Sequence, residues 1–354
     1  MFYPFKFKPV YKDYIWGGRN LEKLGKKLPP EGIVAESWEI SSHPNGVSII
    51  DNGEFSGMPL TELIKKFGRQ VVGKELPEKA LQKFPLLVKL IDANDKLSVQ
   101  VHPSDEYAFT HENGELGKNE MWYIIAAKPG AKLIYDLKPG ITKEKFVQAV
   151  GEDRIEECLK SIPVFPGDTL NIPAGLIHAI GAGIVLAEIQ QNSDTTYRIY
   201  DYQRKNGIQR PLHIEKALEV IDFNKAGRKE KTTGLSIKIN EDASKKFLVA
   251  NQYFAVELFT GKGSVKQIAD GSKFQVYLLT EGTGEIRYSD GTVPVNCGES
   301  VLIPATLGEY ILKGEFQALK AFVPDLESDL LSPLRKAGFS ESDIYQQISG
   351  LKNY

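Results

Sequence analysis

FPGDTLNIPAGLIHAIGAGIVLAEIQQNSDTTYR, residues Phe165–Arg198, is the stretch from which the rest of the chain can be read. Pro166-Gly167-Asp168 signals a turn, and Thr169-Leu170-Asn171-Ile172 is a short alternating run. Pro173-Ala174-Gly175 follows, and three residues later stands His178. Val185, Leu186 and Ile189 carry an apolar run into the polar Gln190–Thr196 segment and then Arg198. Alternation over a few residues between Pro and Gly predicts antiparallel strands joined by a tight turn. Such a turn can hold one inward-facing side chain at a fixed point, and His178 reads as that side chain, a metal ligand whose partners lie elsewhere.

The 354 residues allow two or three domains. A net charge of -2 gives no basic excess, so nucleic acid is not an expected partner. The two cysteines, Cys158 and Cys297, match no zinc pattern and fit free thiols in a reducing cytoplasm. The N-terminal MFYPFKFKPVYKDYIWG has no continuous apolar stretch, and nothing later is long and apolar enough for a membrane helix. With 32 Gly, 15 Tyr and 17 Phe, many short strands and turns are expected.

Helical periodicity is confined to a few segments. Leu60, Leu63, Ile64 and Phe67 share a helix face, Thr142 is placed to cap a helix running to Cys158, and Pro211–Phe223 is helix-like. FPLLVKLI, residues 84–91, predicts a buried strand; residues 104–118 read as a partly helical surface insertion. Residues 225–233 read as a linker, and Ser289-Asp290-Gly291 as a hairpin turn among strands that fill 234–323. FPGDTLNIPAG (165–175) and NCGESVLIPAT (296–306) form a weak repeat, and the second copy has no histidine after it. The expectation is a mainly β chain of two barrels. Residues 1–230 hold the metal site, residues 231–325 a metal-free β unit, and residues 326–354 a helical tail with Ser340 or Ser342 as cap.

Without a usable cysteine pair, a metal site must come from the five histidines together with carboxylates or amides. His102 is the strongest partner for His178. In Ser98-Val99-Gln100-Val101-His102, alternation puts Ser98, Gln100 and His102 on one face and the valines on the other. A barrel interior would show that row, and so would a solvent-facing strand. Glu120 opens an apolar strand, with Lys118 two residues earlier on its face. His43, His111 and His213 read as surface or loop residues, Trp16 and Trp38 as core. Lys89, inside an apolar strand, must be paired. Arg198 reads equally as a functional cation or as a structural one stacked on Tyr200 or Tyr202.

The spacing from Gly167 to His178 resembles the second motif of the cupin superfamily, which implies jelly-roll barrels. Gln100 stands where the first histidine of the companion motif is expected. FPLLVKLIDANDKLSVQVHP, GKNEMWY, IPAGLIHAIG, SDTTYR and the earlier AESWEISSHPNG together resemble the type I mannose-6-phosphate isomerases over about residues 1–225, in the short bacterial form. The resemblance implies one Zn2+ per chain, bound by His102, Glu120 and His178 with Gln100 as fourth ligand. It implies Arg198 as catalytic arginine, Lys118 as an active-site lysine, and Glu188 and Asp194 as acidic groups of the same pocket. Lys89 and Ser98 fall at the phosphate end, with Arg204 beside them. The implied reaction is zinc-dependent aldose–ketose isomerisation of mannose 6-phosphate and fructose 6-phosphate through a cis-enediol, with the base open among Glu188, Asp194, Lys118 and a zinc-bound hydroxide. The partner is a small sugar phosphate, with monomer and homo-oligomer both open. Two rival readings are another metal-dependent cupin enzyme and a non-catalytic sugar-phosphate-binding cupin.

Overall fold

The computed structural model describes residues 2–202, 210–225 and 231–351. Arg204 and most of the expected linker 225–233 therefore lie outside the described residues. Three antiparallel sheets carry the chain. A six-stranded sheet runs in the order Thr169–Ile172, Glu120–Ala127, Ile184–Gln191, Leu86–Ala93, Glu36–Ile40, Val10–Lys12. A five-stranded sheet runs Tyr197–Tyr200, Val99–Val101, His178–Ile180, Lys132–Leu137, Leu159–Pro163. Together they form the first barrel.

The opening stretch thus alternates between two sheets, where the sequence suggested strands paired through a tight turn. Thr169–Ile172 pairs with Glu120–Ala127, whereas His178–Ile180 pairs with Val99–Val101 and Lys132–Leu137. The cause is the turn at Gly175, with φ +83°. Its N–H donates to the His102 carbonyl at 2.9 Å and its carbonyl accepts from Asp222 N–H at 3.0 Å. The chain is carried across to the opposite wall instead of folding back on itself.

The second barrel is built on a nine-stranded sheet containing Leu235–Lys238, Ala243–Ala250, Ala255–Ala269, Gly308–Phe322, Gln275–Tyr288 and Ser300–Ile303 in that order, with Gly291–Asn296 hairpinned onto Gln275–Tyr288. Taken in chain order within each barrel, its six main strands are arranged as in the six-stranded sheet. Phe5–Lys8 and Ile49–Ile50 extend this sheet, with Phe5 opposite Leu302 and Phe7 opposite Ile50. Two strands from the first fifty residues therefore belong to the sheet of the unit expected over 231–325, because Phe5 and Ile50 find their apolar partners there.

The two sheets pack back to back. Val88, Leu90, Met121 and Ile189 meet Val256, Leu278, Leu302 and Leu319 in one core, which also takes Leu60, Leu63, Ile64, Val71 and Val72 from the helical segment. Burial on both faces is why residues 84–91 read as one apolar run. Thr142 caps the helix Lys143–Gly151, which gives way to a 3-10 turn at Ile155–Cys158. Ser340 caps Glu341–Gln347 with a reciprocal Asp343 contact. The tail docks on its own chain: Leu330, Leu334, Ile344 and Ile348 pack against Leu235, Phe247 and Phe322. No helix among the described residues is long and apolar enough to cross a membrane.

Candidate active site

The alternation of residues 98–102 is that of a barrel wall. Val99 and Val101 are fully buried in an outer core, and Ser98 and His102 are each 1% exposed, which excludes a solvent-facing strand. Gln100 lies in register with His178 on one side and Arg198 on the other. Three adjacent strands therefore present Arg198, Gln100 and His178 as one row.

His102, Glu120 and His178 converge, with one donor atom from each lying within 4.8 Å of the others. His102 Nε2 is 3.1 Å from Glu120 Oε1, and His178 Nε2 is 4.0 Å from Glu120 Oε2. The other nitrogen of each ring donates to a backbone carbonyl: His102 Nδ1 to Thr195 at 3.0 Å, His178 Nδ1 to Leu176 at 2.9 Å. A proton fixed on Nδ1 leaves the Nε2 lone pair facing the cluster. Burial lowers the pKa of both histidines, that of His178 to about 3, so both are neutral donors at pH 7.

Burial alone would raise Glu120, but Lys118 and then His102 hold it well below the usual carboxylate range. The Lys118 ammonium is 2.9 Å from Glu120 Oε1 and 3.3 Å from His102 Nε2. The other buried oxygen, Oε2, accepts no hydrogen bond among the described residues. A buried carboxylate, one oxygen beside Lys118 and the other without a donor, facing two imidazole lone pairs forms a donor set that fits a divalent cation. Gln100 Nε2 lies 3.4 Å from His178 Nε2, and exchange of its amide ends would offer an oxygen instead.

Gln100 and Lys118 also line an adjoining cavity of about 290 Å³, together with Lys89, Ser98, Glu188, Asp194 and Arg198. Its second wall is a row of the six-stranded sheet. Register places Trp38 beside Lys89, Lys89 beside Glu188, and Glu188 beside Trp122. Lys89 Nζ is 2.9 Å from Glu188 Oε1 and 3.5 Å from Glu36 Oε2, the pairing its burial demands. Burial would lower Lys89, but Glu188 and Glu36 raise it, so it stays charged. The Trp122 indole N–H donates to Glu188 Oε2 at 3.0 Å. Burial and then Glu120 raise the Glu188 pKa. Asp194 accepts from Asn45 Nδ2 at 2.9 Å; burial opposes its charge, but Lys89 and that bond keep it below its ordinary value.

Arg198 Nε donates to Ser98 Oγ at 3.1 Å and Nη1 donates to the Pro211 carbonyl at 2.9 Å. The guanidinium is thus held at the cavity wall. His178 and Arg198 do not share a hairpin; they flank Gln100 from two strands of one sheet. Trp16 and Trp38 are buried as expected, though Trp16 also lines the cavity. His43 and His213 are loop residues, as expected, but neither is fully exposed. His43 is buried, 5% exposed, 3.9 Å from Glu115, because the loop after Glu36–Ile40 folds inward. His213 lines the cavity, its Nδ1 accepting from the Arg198 N–H at 3.2 Å. His111 is exposed. Sequence reasoning also missed Glu36, Tyr14 and Arg210 in the cavity wall. Glu36 alternates with Trp38 in AESWEISS, a signal that was present. Arg210, held by Asp201 at 2.7 and 2.9 Å, offered none.

Comparisons with known proteins bear on the fold and the family. Residues 4–129 match the family model for phosphomannose isomerase type I, catalytic domain, and residues 243–323 match that for mannose-6-phosphate isomerase, cupin domain. The chain is 40% identical over 315 residues to the mannose-6-phosphate isomerase ManA of Bacillus subtilis (strain 168), covering 88% of this chain and 96% of that protein. It is 39% identical over 308 residues to the mannose-6-phosphate isomerase of Streptococcus mutans serotype c, covering 86% and 93%. The crystal structure of the mannose 6-phosphate isomerase from Bacillus subtilis superposes with a TM-score of 0.82 at 34% identity, over 90% of this chain and 99% of the other. With a cupin-type second unit, a matching catalytic unit and near full-length relatives, the chain belongs to the type I mannose-6-phosphate isomerases.

Proposed function

We propose that the protein interconverts mannose 6-phosphate and fructose 6-phosphate, with one Zn2+ held by His102, Glu120, His178 and Gln100. The observation that carries this is the His102–Glu120–His178 cluster beside a cavity lined by charged groups of both signs. When bound there, zinc supplies Lewis-acid polarisation of the sugar oxygens at C1 and C2.

The chain's own residues divide the remaining work. Isomerisation moves a proton between C2 and C1 through a cis-enediol, so a titratable group must reach the sugar edge. Glu188, Asp194 and Lys118 all line the cavity. Glu188 is the cavity carboxyl group whose proton affinity is raised, which suits a group that takes and returns a proton. Asp194, held low by Lys89 and Asn45, stays ionised. Arg198 and Lys118 place positive charge where the oxyanion develops, and Arg198 is preorganised by its bonds to Ser98 and Pro211. Ser98 and Lys89 serve the phosphate end, with Arg204, which orients the sugar through a group that does not react.

The test is a coupled assay of mannose 6-phosphate conversion, with and without a chelator. Turnover that the chelator stops and added zinc restores is expected. Absence of chelator-sensitive turnover would sink the reading.

A further inference from the structure

The matching strand order of the two barrels lets the second be read position by position against the first. The shared Ile-Pro-Ala aligns Ile172 with Ile303. Ile172 lies opposite Glu120 and Ile303 opposite Gln275; Leu170 lies opposite Trp122 and Val301 opposite Tyr277. One strand further on, Trp122 neighbours Glu188, and Tyr277 neighbours Lys320. Beyond that, Glu188 neighbours Lys89, and Lys320 neighbours Glu257. The second barrel therefore sets a lysine beside a glutamate where the catalytic wall has its buried Glu188–Lys89 pair, in exchanged order. The metal-facing carboxylate has become an amide, and the residue at the spacing of His178 is Glu309.

These residues do not fill the barrel. Lys320, Glu257, Gln275 and Tyr310 line a cavity of about 1050 Å³. Glu257 is 2% exposed; its Oε1 lies 2.8 Å from Lys245 Nζ, but its Oε2 accepts no hydrogen bond among the described residues. Lys320 Nζ donates to Gln267 Oε1 at 3.1 Å and sits 5.5–5.9 Å from the ring centroids of Phe259, Tyr277 and Phe322. Burial among these rings pulls its pKa down to about 8, against the pull of Glu257. Tyr310 donates to Gln275 Oε1 at 2.5 Å and lies 2.8 Å from the Tyr277 hydroxyl.

A core whose only task is packing has no reason to hold such a group of charges around open space. An ammonium kept from water is relieved by an anion, and a buried carboxylate oxygen without a donor is satisfied by a hydroxyl. We infer that the second barrel is a separate binding site for a small polyhydroxylated anion, a sugar phosphate or a sugar acid, with Lys320 taking the anionic group and Glu257 a hydroxyl. Lys245 pairs with the other oxygen of Glu257, and the Tyr277–Tyr310–Gln275 chain gives further hydroxyl and amide partners on the adjacent wall. The inference does not depend on zinc or on the isomerase reading.

Titration calorimetry of the full chain with glucose 6-phosphate and with gluconate tests it, and inorganic phosphate shows whether hydroxyls are needed. Binding of one or both sugar anions is expected, weakened about 10-fold or more in Lys320→Met and in Glu257→Gln, and restored in Lys320→Arg. Thermal melts verify that each variant is folded. The two probes separate a phosphate preference from a carboxylate one. Isotherms unchanged in Lys320→Met and Glu257→Gln would overturn the inference. So would failure of both sugar anions to bind beyond what Arg198→Ala removes. The isomerase assay does not enter, so failure here leaves the catalytic reading untouched.

Discussion

His178 can serve a metal because its other nitrogen is occupied. The bond from Nδ1 to the Leu176 carbonyl fixes the tautomer, and the Trp122 ring packed at 5.3 Å fixes the ring plane. Removing the imidazole leaves Glu120 and His102 with Lys118 as their nearest charge. His178→Ala is therefore expected to purify with essentially no zinc and no turnover; metal analysis giving one zinc per chain would contradict the ligand assignment. Arg198 is a different case, since its guanidinium is held by Ser98 and Pro211, which are not metal ligands. Arg198→Ala should keep its zinc and lose about 10²–10³ in kcat, the usual effect of deleting one preorganised oxyanion partner. Near-full kcat would remove Arg198 from the catalytic machinery. At this scale the sequence was informative where one side chain carries the chemistry: His178 and His102 stand out by residue type and spacing, and Glu120 through the family resemblance. It was silent on Arg210 and on how deeply the loop residues His43 and His213 sit, which depends on loop paths that no local pattern encodes.

At the scale of the element, the turn Pro173–Gly175 decides where His178 points. Gly175 has φ +83°, and a Cβ there would lie 2.9 Å from the Val220 carbonyl oxygen and 3.3 Å from Asp222 Cβ. Gly175→Val should cost about 1–2 kcal/mol from the left-handed backbone alone, with the clash added. Because the turn also holds the His102 carbonyl, both imidazoles shift. The expected result is a lower Tm together with faster loss of zinc to a chelator; an unchanged zinc off-rate would show that the turn does not position the ligand. The second barrel makes the point by contrast. Thr306 stands at the place of Gly175, and the left-handed residue moves to Gly308. The repeat was visible in eleven residues because the turn is local. The juxtaposition of Lys320 and Glu257 was not visible, since cross-strand neighbours 63 residues apart share no spacing rule. The same holds for Lys89 and Glu188. That Lys89 needs a partner follows from its apolar strand, but which partner follows only from register.

On the scale of the molecule, three buried histidines change how stability depends on pH. Burial lowers the pKa of His43, His102 and His178 below the unfolded value near 6.5. Between the folded and unfolded pKa values, the unfolded chain binds more protons than the folded one. Stability is therefore full above about pH 6.5 and is lost as pH falls through that window, by about 1.4 kcal/mol per pH unit for each proton not offset. Glu120 and Asp194, held low, add loss of the same sign at lower pH. Asp92 and Glu188, raised chiefly by burial, act in the opposite direction and offset part of it. For protein stripped of metal by a chelator, Tm should fall steadily from pH 7.5 to 5. His178→Gln, which cannot titrate, should flatten that fall by about one proton's worth, whatever it does to absolute stability. The comparison of slopes isolates the imidazole, because the offsetting groups are common to both proteins. A His178→Gln slope equal to the parent's would mean that His178 takes up its proton inside the fold as readily as in the unfolded chain. That result would remove a neutral nitrogen donor on which the metal site depends.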